Sequence, residues 1–241
     1  MKGLRGALGF FTILPGCGGS GWQGAKMLPW FPVVGLILGV IYALADALFG
    51  LIFPPALQAA LVVLMMTVLT GGLHLDGLAD AADGLLSHRT REDALRIMKD
   101  SRIGTWGVLA LIFVLGLKTL ALAQVMVGPR YLILILVPAY GRLAMLAGIG
   151  VLPYGRGEEG LAHSIFGDSE RIPFSPGGLG VLAGSLVLGW PGALFINVTF
   201  FATLIFILFW YRHRLGAITG DMLGALGEII EAVLLVALAF K

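Results

Sequence analysis

The sequence predicts an all-α protein: a polytopic membrane helix bundle of about seven transmembrane helices. Three observations lead there. Hydrophobic residues make up 58% of the 241 and charged residues 12%, where a water-soluble domain has roughly 25% charged. Such a surface is too poor in charge to be kept in water. Long apolar stretches recur at the length that crosses a bilayer. Finally, the basic residues fall into alternate connections between these stretches.

Taken in order, residues 1–27 read as an interfacial segment, Gly-rich and amphipathic at its start, with Lys2 and Arg5. Residues 28–49 are the first span. The Pro54-Pro55 pair breaks the chain before a second, 54–73. Residues 107–127 form the third, ended by Gly128-Pro129, and 131–150 the fourth. Residues 177–190 are apolar but short for a full crossing, and are taken as a tilted or re-entrant fifth. Pro191-Gly192 separates them from 193–211, and 221–240 is the last. The polar stretches 87–102 and 154–176 read as loops of a single membrane domain covering 1–241, since no internal repeat appears.

With seven spans, Lys2, Arg5, Lys26, Arg89, Arg91, Arg96, Lys99, Arg102, Arg156, Arg171, Arg212 and Arg214 all lie on one side. The positive-inside rule makes that side cytoplasmic. The net charge of +2 offers no concentrated basic stripe, so no nucleic-acid partner is expected. The single cysteine, Cys17, provides neither an internal disulfide nor a cysteine metal site.

The informative residues are acids in lipid-compatible sequence. At 100° per residue, Asp76, Asp80 and Asp83 sit at about 0°, 40° and −20° on a helix. Three carboxylates on one stripe repel unless a cation lies between them. Oxygen-only ligands suit a hard divalent ion such as Mg²⁺, which keeps few protein ligands and adds substrate phosphates. The plainer alternative is the solvated face of a helix leaving the membrane. His74 lies on another face, and a structural role, a capping role or a substrate contact are all open to it.

Asp221, Glu228 and Glu231 form a second group, and Gly216, Gly220 and Gly224 suggest a groove for a neighbouring helix. Glu231 is either part of a polar cavity or a buried partner of Lys118 or Arg142. A third motif, Met98-Lys99-Asp100-Ser101-Arg102-Ile103-Gly104-Thr105, can hold phosphate oxygens at the membrane surface or serve as a basic anchor. Together the parts suggest metal-dependent phosphoryl-group transfer by positioning and charge neutralisation. No P-loop, nucleophile elbow or H-E-x-x-H is present. The residues alone do not name the substrate.

His74-Leu75-Asp76-Gly77-Leu78-Ala79-Asp80 with Asp83-Gly84, followed by the 98–105 motif, resembles the cobalamin (5′-phosphate) synthase family, the adenosylcobinamide-GDP ribazoletransferases. The resemblance runs nearly end to end. It includes Phe10-Phe11-Thr12, Pro29-Trp30-Phe31-Pro32, Gly141-Arg142, Leu152-Pro153-Tyr154 with Arg156, and Gly220-Asp221 with Glu228 and Glu231. Ala81 and Ile13 depart from the family pattern, as does the glycine-rich stretch 16–23.

The resemblance implies transfer of the adenosylcobinamide-phosphate moiety from adenosylcobinamide-GDP to the 3′-hydroxyl of α-ribazole or its 5′-phosphate. GMP is released in this last assembly step of vitamin B12. It implies Mg²⁺ as cofactor and the inner cell membrane as location, with the site facing the cytoplasm. Asp76, Asp80, Asp83 and Asp221 become metal ligands, with Asp83 and Asp221 also catalytic. His74, Lys99, Asp100, Ser101, Arg102, Arg142 and Glu228 become substrate contacts, with Lys99 and Arg102 on the diphosphate. A homo-oligomer is left open.

Two alternatives compete. A CDP-alcohol phosphotransferase making phospholipids also sets Asp on membrane helices, and Asp80-Ala81-Ala82-Asp83-Gly84 starts its motif. The Ala-Arg and spaced acids that follow in that motif are absent here. A secondary transporter would use membrane acids for proton coupling, with internal repeats and broken helices in matching halves.

Overall fold

The computed structural model describes residues 2–14, 24–125, 127–156, 166 and 176–239. Cys17, Arg171, Lys241 and most of the 154–176 loop lie outside them. Among the described residues every regular element is a helix, apart from one bridge between Tyr154 and Ile218.

The helices are α1 (Lys2–Phe11), α2 (Phe31–Gly50), α3 (Pro55–Leu69), α4 (Leu73–Leu85), α5 (Arg91–Ile97) and α6 (Thr105–Gln124). They continue as α7 (Val127–Val151), α8 (Pro176–Gly184), α9 (Gly189–Arg214) and α10 (Gly220–Leu238). A 3₁₀ stretch, Gly24–Trp30, leads into α2, where Pro32 fits the first turn. Thr90 caps α5 by accepting from the Asp93 N–H, and Thr219 caps α10 by accepting from the Met222 N–H at 3.3 Å.

The expected count of seven spans is not reproduced. Four stretches are long and apolar enough to cross a membrane: Gly24–Gly50, Thr105–Gln124, Pro129–Val151 and Pro176–Arg214. A fifth is counted if α3 and α4 are one broken span, bent by 89°. The break is made by Gly71 and Gly72, at φ +60° and +71°, a backbone conformation that side chains rarely allow. It leaves α3 only 15 residues and sends the acidic stripe off at right angles. The 177–190 stretch is not one helix either. α8 stops at Gly184, a 3₁₀ turn covers Ser185–Leu188, and Gly189 at φ +78° turns the chain into α9. α10 is as long as a span but carries Asp221, Glu228 and Glu231.

α7 is the central helix, with 83% of its apolar window buried against 28% for α6 at the rim. α2 lies directly on it. A Cβ on Gly35 would stand 2.4 Å from the Ala139 Cα, and one on Gly39 2.4 Å from the Ile135 carbonyl. Phe195, Phe201, Phe206 and Phe209 of α9 and Phe113 of α6 project outward, as lipid contact requires.

Polar links tie each end of the bundle. At one end Ile13 N–H donates to Leu69 and Arg214 donates to the carbonyls of Leu85 and Arg89. There Gly155 N–H also donates to Ile218 at 2.9 Å. At the other, Arg130 holds Asp46 through two bonds of 2.8 and 2.7 Å, and Gln58 donates to the Asp46 carbonyl. The acidic stripe and the start of α10 share the first end.

Candidate active site

The site forms where α4 crosses α10. A Cβ on Gly77 would stand 2.9 Å from the Asp221 carbonyl oxygen, and one on Gly224 3.2 Å from the His74 Cα. Only hydrogen fits at the crossing, so the carboxylates of the two helices are forced into one neighbourhood. The glycine groove read from the sequence is therefore partly misplaced. Gly216, at φ +68°, ends α9, and Gly220 has nothing within 4 Å of where a Cβ would lie. Gly77, on the other helix, makes the close contact.

A cleft of about 280 Å³ opens beside the crossing. Asp76 and Asp221 line it together with Arg156, while Phe10, Phe11 and Phe31 form an apolar wall. Asp80, one turn deeper on the stripe, is repelled by Asp76, Asp221 and Asp83 and attracted by Arg156. Asp76, Asp80 and Asp221, from the two acidic groups, thus act on one another across the helix crossing.

Arg156 is placed by the backbone bridge between Tyr154 and Ile218, which lays its segment alongside the start of α10. Its guanidinium donates to Asp221 Oδ2 and, at 3.3 Å, to the Met98 carbonyl. Its Nε has no acceptor. A fixed guanidinium that lines the cleft suits a phosphate oxygen.

Asp83 is differently engaged. Its Oδ2 accepts the Gly104 N–H at 2.7 Å and its Oδ1 the Gly107 N–H at 2.9 Å. It therefore caps the positive N-terminus of α6 and fixes α4 to it. In the 98–105 segment, Arg102 forms a forked pair with Asp100, with contacts of 2.6 and 3.0 Å. The Arg102 bonds lower the Asp100 carboxyl to about 2. Arg102, Lys99 and Ser101 are exposed. None of these residues lines the cleft.

Beneath the cleft lies a buried charge cluster. Lys118 donates to Glu228 at 2.6 Å and to Glu231 at 2.7 Å. Arg142 donates to the other oxygen of Glu231 and approaches His74 Nδ1 at 3.5 Å. The structural alternative for Glu231 therefore holds, with both cations at once. Glu228 and Arg142 are likewise occupied within the protein.

Among the described residues, no three His, Cys, Asp or Glu side chains converge as a preformed metal site. The donor set still fits a hard cation. Asp76, Asp80 and Asp221 are carboxylates whose mutual repulsion one guanidinium only partly offsets, and Mg²⁺ completes its shell with water and phosphate.

Three residues that line the cleft have no site role in the sequence reading. Arg156 was one basic loop residue among several, because its pairing depends on a long-range bridge. Phe10 and Phe11 were read as interfacial, yet α1 delivers both to the cleft wall. Asp46 was also missed, and it serves the ion pair at the far end.

A family model described as cobalamin-5-phosphate synthase matches residues 3–239. The chain belongs to that family. It is 38% identical to the adenosylcobinamide-GDP ribazoletransferase of Chlorobaculum tepidum, over 100% of this chain and 97% of that one. It is 36% identical to that of Synechococcus elongatus, over 96% and 93%. It is 40% identical to that of Syntrophobacter fumaroxidans, over 89% and 87%. No solved structure matches. The family's match covers all the helices described above but for Lys2 at the start of α1, so the cleft, the acidic stripe and the start of α10 all fall within it.

Proposed function

We propose that this membrane protein is a cobalamin synthase, an adenosylcobinamide-GDP ribazoletransferase. The observation that carries this is the match to the family over residues 3–239. The 3′-hydroxyl of α-ribazole, or of its 5′-phosphate, attacks the phosphate that bears the cobinamide. A new oxygen–phosphorus bond forms, the diphosphate bond breaks, and GMP leaves.

Within the cleft, the Arg156 guanidinium holds phosphate oxygens and keeps Asp221 oriented. Asp221, which lines the cleft, accepts the proton of the attacking hydroxyl. Asp83 keeps α4 and α6 in register through its two backbone bonds. Asp76, Asp80 and Asp221 are the residues that would hold Mg²⁺. When bound, that ion neutralises phosphate charge and favours departure of GMP. Lys99 and Arg102 stand at the approach, where exposed cations attract an anionic substrate. The cleft opens at the end that carries Arg89, Arg91, Arg96, Arg212 and Arg214. By the positive-inside rule that end faces the cytoplasm, and the membrane is the cell membrane.

The test is GMP release by membranes containing the chain, given adenosylcobinamide-GDP and α-ribazole. Release that requires both substrates and Mg²⁺ is expected. Release of CMP from a CDP-alcohol instead would place the chain with the phospholipid synthases.

A further inference from the structure

We infer that the groove between α7, α8 and α9 is a binding site for one anionic phospholipid, with an acyl chain lying along the groove and the phosphate on the Arg212 guanidinium. Among the described residues the groove shares no lining with the cleft, so the inference does not depend on the functional reading above.

The groove has a volume of about 440 Å³, within the range of small-molecule sites, roughly 300–1,000 Å³. Ala147 of α7 and Leu182 of α8 line it together with one stripe of α9. Its lining includes buried Phe200 and Leu204 and exposed Val151 and Ile205, so it opens outwards from the bundle. Any apolar groove in a bilayer is filled by an acyl chain, and that alone makes no specific site. What distinguishes this one is Arg212, the single polar residue among those described in its lining.

At 100° per residue, Phe201, Ile205, Leu208 and Arg212 lie at about 0°, 40°, −20° and 20° around α9. Arg212 therefore continues the apolar stripe. Side chains on a helix lean towards its N-terminus, which for Arg212 is back along the groove. Its guanidinium is also uncommitted. Arg214, on the same last turn, donates to the carbonyls of Leu85 and Arg89. The exposed Arg212 side chain has no hydrogen bond or ion pair with a described residue.

Length and charge then select the occupant. From Phe200 to Arg212 the helix rises about 18 Å. One leaflet's share of a hydrocarbon core about 30 Å thick is about 15 Å. The groove is thus as long as one acyl chain, and Arg212 stands where that chain's phosphate lies. Basic pockets between helices at a membrane surface take anionic headgroups in this way. A zwitterionic lipid fills the same apolar length but brings its own cation to the Arg212 end. A free anion leaves the apolar length empty. A second copy of the chain, packed through the same face, would bring a second Arg212 and no acid from the lining.

The experiment is native mass spectrometry of the purified full chain in detergent, titrated with phosphatidylglycerol or with phosphatidylcholine of the same acyl chains. Wild type is expected to hold one phosphatidylglycerol, bound roughly five-fold or more tighter than phosphatidylcholine, as for one arginine at an anionic headgroup. Arg212→Gln is expected to bind both lipids alike, and Arg212→Lys to keep most of the preference. Arg91→Gln, at the same end of the bundle but outside the groove, should keep all of it. Ala147→Phe, which fills the groove, is expected to lose both lipids. If that variant fails to fold, the Arg212 and Arg91 variants still decide. Equal binding of the two lipids by wild type would overturn the inference. A preference undiminished in Arg212→Gln, or removed as well by Arg91→Gln, would also overturn it, since basic charge in general would then suffice. So would undiminished phosphatidylglycerol binding by folded Ala147→Phe. A chain that stays dimeric and lipid-free would give the groove to a second copy and sink the inference.

Discussion

Asp76, Asp80 and Asp83 share one stripe, yet the structure gives them different work. Asp83 spends both oxygens on backbone N–H groups of the next helix, whereas Asp76 faces the cleft and Asp80 sits between them. Asp76→Asn and Asp80→Asn are expected to lower GMP release at least roughly 10²-fold while the protein still inserts, since each removes charge that a metal would need. Turnover near normal in both would mean a solvated face. Asp83→Asn should act on stability, by about 1–3 kcal/mol, because charged hydrogen bonds to a helix start are weakened. Thermal unfolding in detergent checks it. Arg156→Gln loses the pair with Asp221 and the charge at the phosphate, so kcat should fall more than KM rises.

At the scale of elements, the crossing of α4 and α10 decides the geometry. Gly77→Ala puts a methyl group 2.9 Å from the Asp221 carbonyl, with backbone rather than a flexible side chain in the way. The helices must separate, at a cost of about 1–3 kcal/mol. A displacement of about 1 Å can lower turnover roughly 10²-fold. Gly116→Ala on α6, where nothing lies within 4 Å, should leave the rate unchanged. Equal kinetics for the two variants would show that the close crossing is not needed. The 89° bend at Gly71-Gly72 has a related purpose, because a straight α3–α4 helix would carry the stripe away from α10.

For the whole molecule, two polar features hold a mostly apolar bundle in register. Lys118, Arg142, Glu228 and Glu231 join α6, α7 and α10 in the interior, and Asp46 and Arg130 join α2 to α7 at the far end. Lys118→Met leaves two carboxylates short of a cation in the core, and a loss of about 3–5 kcal/mol is expected. The yield of folded protein from detergent reads it out, and an unchanged yield would mean that Arg142 alone balances both acids. Orientation is tested by cysteine labelling in a chain with Cys17→Ser. Arg91→Cys should react from the cytoplasmic side and Leu51→Cys from the opposite one. Leu51→Cys reacting from the cytoplasm would mean that α2 does not cross.

Composition and spacing were enough for the membrane class, the all-α fold, most helix bounds and the two acidic groups. These depend on local quantities: apolar length, proline breaks and the 3.6-residue period. Span number was less legible, because left-handed glycines at 71, 72 and 189 divide apolar stretches that a window reads as continuous. The roles of the charged residues depended on the tertiary structure. Whether a carboxylate holds a metal, caps a helix or pairs with a lysine depends on what another helix brings within about 3 Å. Glu231 and Asp221 both begin as acids on one helix. Packing puts Lys118 and Arg142 against the first. It puts Arg156 and an open cleft beside the second.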